Sequence, residues 1–412
     1  MCAFIPTTIY LAETTAQIIA VYACLVERGD EGAVIFVDRS HIHGGGGLDP
    51  LLDAGRSRFL QARIVEYSPA PHSSIPTKHC AILAFFCNWA ATQKTKKAMI
   101  EALCSQLKLS ESSIKSSVKA VNFTYTHYYV LCFLAIFPHS VFIVYPHGFS
   151  EPRAQGVAKW PYLYRRRSIL TALCTLPSQL REFGIGTMLR GFLGCLVRHQ
   201  SLLLPFPGVD EVITFRPVTD DIVGRLSSRN TTLEETFRWL LGLSFWIEAV
   251  DEIQRNSTGS LIVLLPECNR HPIWERNVMF GPAHATLIKS LLHQFPGANV
   301  VLKQHVRSDG TAARWLRQYL AEELPSVEVS ILSPSLSRIP IEAIALFGSY
   351  SAAGSIGSVS LPLDLGLGIT HYFSKRAASL FDTGWREPFW VNYEKECGFL
   401  ASDGIGLICD DG

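Results

Sequence analysis

The stretch VVLKQHVRSDG, residues 300–310, sets a lysine, a histidine and an arginine at alternating positions just past an apolar run. If the extended conformation persists, Lys303, His305 and Arg307 share one side of the chain. Three such side chains offer several charge-assisted hydrogen bonds to a phosphate. The same pattern also describes an ordinary solvated strand end. A second stretch, IPIEAIALFGSYSAAGSIGS, residues 339–358, begins as a helix with Pro340 and Glu342 in its first turn. It runs into Ser349, Ser351 and Ser355, interleaved with glycine. Hydroxyls and open backbone N–H groups in such a turn hold phosphate or carboxylate oxygens, although Ser/Gly loops are common without a ligand. The third stretch is Tyr145-Pro146-His147-Gly148, after the apolar run SVFIV. A histidine at a strand's carboxyl end suits general-base work near neutral pH, or it is a structural histidine.

Composition narrows what these residues serve. The chain has 37 Lys+Arg against 36 Asp+Glu, so no overall basic field draws in nucleic acid. Hydrophobic residues make up 48% and charged residues 18%, which excludes a disordered or acidic-tail protein. The 11 cysteines form no CxxC pair and no Cys/His cluster. Buried thiols in a reducing compartment and no metal site are the expectation. The apolar N-terminus carries Glu13 and Gln17 and lacks a basic leader, so it fits neither a signal peptide nor an anchor. A cytoplasmic location follows as an expectation, with association at a membrane surface left open.

The elements that must position these residues alternate. TTIYLA reads as a strand, ETTAQIIAVYACLVERG as a helix stopped by Gly29, and GAVIFVD as a second strand. The segment 128–145 is split by Pro138, His139 and Ser140 into a buried helix and a buried strand. A Lys-rich region over 93–120 reads as a pair of solvated helices. After a Pro-rich connection near 200–225 the alternation resumes. One helix is expected over TLEETFRWLLGLSFWIEAVDEIQRN, then GSLIVLLPE, GPAHATLIKSLLHQFPG, ANVVLKQHV, TAARWLRQYLAEEL and SVEVSIL read as strand, helix, strand, helix and strand. GSYSAAGSIGSVSL is expected as a Gly/Ser loop leading into a further strand. The fold class is therefore α/β, with two Rossmann-like doubly wound domains facing a central cleft. The expected domains are 1–205 on the acceptor side and 206–385 binding the nucleotide sugar. A tail, 386–412, would pack back on the first domain.

In this order the segments resemble the bacterial sialyltransferase and polysialyltransferase group, which has the GT-B architecture and uses CMP-activated nonulosonic acids. The likeness is carried by the opening strand–helix unit with Gln17, by YPHGF at the place of an acidic-acidic-Gly motif, by LKQHVR at a K-x-H-P motif, and by IPIEAIALFGSYSAAG at a Pro-x-Glu helix leading to paired serines. The resemblance implies transfer of a sialic acid to a glycan or glycolipid acceptor with inversion and without a metal or cofactor. His305 would bind the CMP phosphate with Lys303, and Arg307 would join them. Ser351 would hold a donor oxygen, with Ser349 and Ser355 beside it, and Glu342 would sit near the cytidine or ribose. Gln17, Gly148 and Glu151 would lie on the acceptor side.

Three departures bear on these roles. Val306 stands at the motif's proline, Ala352 at its second serine, and Pro146-His147 at its acidic pair. Either His147 is the base, with Glu151 as a second candidate, or the donor is another sugar, such as CMP-Kdo or a UDP-sugar. A catalytically dead glycan-binding module is the remaining alternative.

Overall fold

The computed structural model describes residues 4–39, 48–68, 81–124, 132–133, 136–137, 139–145, 211–214, 227–230, 234–266, 278–305, 308–337, 339, 341, 344, 348–356, 370–374, 376–377 and 380. The chain divides into two compact units, Met1–Thr236 and Phe237–Gly412. Each is a parallel sheet with covering helices. Two Rossmann-like units in one chain are the make-up of the GT-B architecture expected from the sequence.

The first unit opens with β1 (Thr8–Ala12), α1 (Thr15–Arg28) and β2 (Ala33–Asp38). Every residue of β1 and β2 is buried, as befits strands covered on both faces. Helix α1 is framed at both ends. Thr14 and Gln17 form a reciprocal capping box, and Gly29 closes the helix in the left-handed conformation at φ 59°. Then follow α2 (Leu48–Arg58), β3 (Arg63–Tyr67), α3 (Ala81–Leu107), α4 (Glu111–Ser117), β4 (Ala120–Phe123) and β5 (Val141–Val144). Strands β6 (Glu211–Thr214) and β7 (Ser227–Asn230) complete a seven-stranded sheet of order β3-β2-β1-β4-β5-β6-β7. The expected split at 205/206 thus falls before two strands that pair with the first sheet, and the units meet at Thr236/Phe237. Both strands are only four residues long, and SSRN is wholly polar, so neither stands out as an apolar run.

The second unit begins with α5 (Glu234–Leu241), which straddles the division, and α6 (Ser244–Ser257). One helix was expected here; the chain breaks at Gly242, whose N–H donates to the carbonyls of Arg238 and Trp239. Strand β8 (Ser260–Leu264), α7 (Phe280–Gln294), β9 (Asn299–Lys303), α8 (Thr311–Glu323), β10 (Val329–Ile331) and the short α9 (Pro334–Ser337) follow. Residues 352–355, expected as loop, form β11 (Ala352–Ser355), and β12 (Thr370–Phe373) ends the sheet. Its order is β10-β9-β8-β11-β12. Strand β11 is spelled in small residues because α7 lies close on it: a Cβ on Gly354 would come within 2.8 Å of Leu291 Cδ1. The tail 386–412 lies outside the described residues. No described helix is long and apolar enough to cross a membrane.

The core of the second unit contains a titratable group. His284, in the middle of α7, is fully buried; it sets its Nδ1 on the Phe280 carbonyl at 2.7 Å, and its ring is 4.5 Å from that of Phe280. Burial lowers its pKa from 6.5 to about 4, against the opposing effect of that backbone hydrogen bond. The unfolded chain therefore binds a proton that the folded chain rejects between these two values. Stability should be intact above about pH 6.5 and fall as the pH drops towards 4, by roughly 3 kcal/mol in all. Urea titrations from pH 7 to 4 on wild type and His284→Gln check this; the variant should lose most of the slope.

Candidate functional site

In a parallel sheet all carboxyl ends lie on one edge, and ligands collect where the strand order reverses. The first unit reverses between β1 and β4, the second between β8 and β11. These two edges are where the predicted residues have to be sought.

At the second edge, strand register does the positioning. Leu264 of β8 pairs with Lys303 of β9 on one side and Ser355 of β11 on the other, and Ser355 pairs with Phe373 of β12. Registered residues of parallel strands point to the same face. Lys303 and Ser355 therefore project from one face of the sheet's carboxyl edge, two strand spacings or about 10 Å apart. The opposite face belongs to the core: Leu261, Val263, Val300, Leu302 and Ala352 pack with α7 and α8. Lys303 is 8% exposed and Ser355 fully buried. An ammonium so nearly removed from water is tolerated only among groups that stabilise its charge.

Beyond Lys303 the strand stops. The Ser308 N–H donates to the His305 carbonyl at 2.9 Å, turning the chain. His305 is half-buried just outside the sheet's edge. Arg307 lies outside the described residues, so the alternation expected of all three is carried only as far as His305. Gly310, at φ 87°, swings the chain into α8, and Asp309 accepts the Thr311 N–H at 2.9 Å. That N–H, ahead of all other causes, holds the Asp309 carboxyl below its ordinary range. A Cβ on Gly310 would stand 3.1 Å from both Gln304 and Arg314, so this tight return favours glycine doubly.

The three predicted serines do not lie together. Ser351 donates its N–H to the Ser260 carbonyl at the start of β8, and the Ser349 N–H donates to Ser257 Oγ at the end of α6. Both therefore sit at the amino edge, and Ser351 is four residues or roughly 13 Å of chain from Ser355. Glu342 lies outside the described residues.

At the first edge Gln17 is fully buried. Its Oε1 accepts from the N–H groups of Glu13 (2.6 Å) and Thr14 (3.2 Å), and its Nε2 donates to Thr124 Oγ1 at 3.3 Å. Thr124 follows β4, so a single amide joins the ends of the two strands between which the order reverses. Tyr145, the residue after β5, is also fully buried and donates its hydroxyl to the Leu11 carbonyl of β1. Burial, then Cys24 and Glu13, push its pKa well up. Gln17 thus shapes the edge from beneath. His147, Gly148 and Glu151 lie outside the described residues. Sequence reading gave no task at the site to Thr124, Tyr145 or Glu13; Thr14-x-x-Gln17 is a legible capping box, and Glu13 directly follows a strand. Among the described residues no group of three or more His, Cys, Asp or Glu could hold a metal ion.

No protein-family model matches the chain, and no curated protein matches it at a significant level. Solved structures to which it is similar include Medicago truncatula UGT71G1 complexed with UDP-glucose, at 9% identity over 98% of this chain and 85% of that one, with a TM-score of 0.46. TcCGT1 in complex with UDP matches at 11% identity over 99% and 86%, with a TM-score of 0.48. UDP-GlcNAc 2-epimerase from Neisseria meningitidis bound to UDP-GlcNAc matches at 10% over 89% and 82%, with a TM-score of 0.40. Scores this low assign neither a donor nor a residue to this chain.

Gln17→Ala should destabilise the first unit by about 1–3 kcal/mol, because the capping box loses its glutamine half, which leaves the Glu13 and Thr14 N–H groups without that acceptor, and the buried Thr124 hydroxyl loses a partner. Chemical denaturation followed by far-UV circular dichroism measures it. A change under 0.5 kcal/mol would contradict the bridging role.

Proposed function

We propose that the protein is a glycosyltransferase that takes its sugar from a nucleotide donor. The donor's phosphate would bind at the carboxyl edge of the second sheet. The observation that carries this reading is the row Lys303–Leu264–Ser355 beside the reversal of strand order. It sets a nearly buried cation and a hydroxyl at the edge where an α/β sheet takes its ligand. His305 follows directly and is half-buried, so its imidazole can remain in contact with solvent and protons. In the transition state the nucleotide leaves as an anion, and fixed positive charge there lowers the barrier.

Within that reading, the donor is a pyrimidine nucleotide sugar. The sequence resemblance supports CMP-sialic acid, with Lys303 and His305 at its K-x-H segment. The position of Ser351 at the amino edge speaks against the paired-serine role, which Ser355 would take over. A UDP-sugar is the alternative to test first.

Calorimetric titration with UDP, CMP and AMP separates the donors. Lys303→Ala should weaken binding of the preferred pyrimidine nucleotide about 10- to 100-fold, the worth of a charge-assisted hydrogen bond. His305→Ala should lower transfer on the order of 100-fold, read as release of nucleotide from UDP-sugars and CMP-sialic acid with a panel of glycan acceptors. Wild-type protein that binds neither pyrimidine nucleotide would overturn the reading.

A further inference from the structure

We infer that the turn between β9 and α8 is a hydroxyl-reading subsite, in which the Gln304 amide holds the ribose diol of the nucleotide donor; this rests on the transferase reading above. The turn begins one residue past Lys303, and all of its parts belong to the second unit. Val300 and Leu302 face α7 and α8, and Gln304 continues their alternation, so it leaves the strand end on the opposite side from Lys303. Its side chain is fixed by what it meets there. The amide oxygen and nitrogen lie 3.1 and 3.6 Å from the point where a Cβ on Gly310 would stand, and Arg314 Nη1 of α8 lies 3.1 Å from the same point. Gln304 is 6% exposed, and its amide makes no hydrogen bond among the described residues. Four residues on, Ser308 Oγ is also buried without a partner. A turn that leaves a buried amide and a hydroxyl unmatched carries a cost that a bound polar ligand removes.

The charged groups of the turn decide the kind of ligand. Asp309 is kept ionised by the Thr311 N–H first and by the field of Arg314 after it, and Arg314 donates to Thr311 Oγ1 at 3.2 Å. An anion placed here would face the Asp309 carboxylate, so the phosphate belongs on the Lys303 side. A neutral ligand that both gives and takes hydrogen bonds meets no such repulsion. The Gln304 amide offers an acceptor and two donors, and a vicinal diol complements that set. In a nucleotide the diol lies across the sugar ring from the 5′-phosphate. Lys303 and Gln304 are consecutive residues on the two faces of one strand end, so a phosphate held by Lys303 leaves the ribose beside the α8 turn. Gln304 thus sets specificity for a ribonucleotide and takes no part in bond breaking.

The test is calorimetric titration of wild type and Gln304→Leu with CMP and UMP and with their 2′-deoxy and 3′-deoxy forms. Wild type should bind the preferred ribonucleotide at least about tenfold more tightly than either deoxy form, as a site built to hydrogen-bond a hydroxyl does. Gln304→Leu should bind all three within about twofold of one another. The amide it removes has no partner in the described fold, so its urea midpoint should equal or exceed that of wild type. Wild type that binds ribose and deoxy forms alike would overturn the inference, and so would a Gln304→Leu variant that still discriminates between them. A variant that weakens all three nucleotides equally, or fails to fold, marks Gln304 as structural and overturns it as well. Failure of the transferase reading shows separately, in unmutated protein that binds none of these nucleotides, and the inference falls with it.

Discussion

Every described strand pair in this protein is parallel, and that constraint governs where chemistry can be placed. A parallel neighbour has to be reached by a crossover, so all strands of a sheet finish at the same edge. Crossovers to the two sides of the first strand then leave a gap where the loops part. Both units follow the same scheme, with β1/β4 in one and β8/β11 in the other. Residues just beyond these four strands are the ones whose side chains the backbone leaves open to a ligand.

Register then refines the choice. On β9 the alternation that buries Val300 and Leu302 under α7 and α8 necessarily sends Lys303 to the other face. A one-residue slip between β8 and β9 would put the ammonium into the apolar core, so the register of the hydrophobic residues also fixes the cation. At the first edge the equivalent task falls to hydrogen bonds. The Gln17 amide serves helix α1 as a cap and the sheet as a brace between β1 and β4. A glutamine has both a carbonyl and an amino group to offer, and this one uses each on a different element.

The elements legible in the sequence were those with a strong period or a firm stop. β1, α1 and β2 emerged from a β-branched run, a helical period and Gly29, and β8, α7, β9 and α8 emerged in the same way. What was not legible depended on packing between distant segments. Strand β11 reads AAGS, a composition without β propensity, and becomes a strand because α7 requires small residues beneath Leu291. The four-residue strands β6 and β7 are recruited by pairing with β5, which no local pattern announces. The same difficulty affected the site. Lys303 and His305 could be placed from their own strand, whereas the serines could not, because turning Ala352–Ser355 into a strand moves Ser351 and Ser355 to opposite edges. Gln17 was singled out through a family resemblance, and its structural task was written locally, in Thr14-x-x-Gln17.

Among the described residues of the second unit, two basic side chains are nearly or wholly buried, and they differ in where they lie. His284 lies mid-helix against Phe280. It answers burial by staying neutral, with its Nδ1 on a local carbonyl, and it contributes shape to the core at the cost of a pH-sensitive stability. Such a residue needs no ligand. Lys303 lies at the last position of a strand, beside the reversal of order, in the same register row as a buried hydroxyl. A flexible four-carbon stem gives the ammonium reach towards that edge. Burial alone would have ranked the histidine first. Position along the strand sets the two apart, because the carboxyl edge of a parallel sheet is where ligands collect.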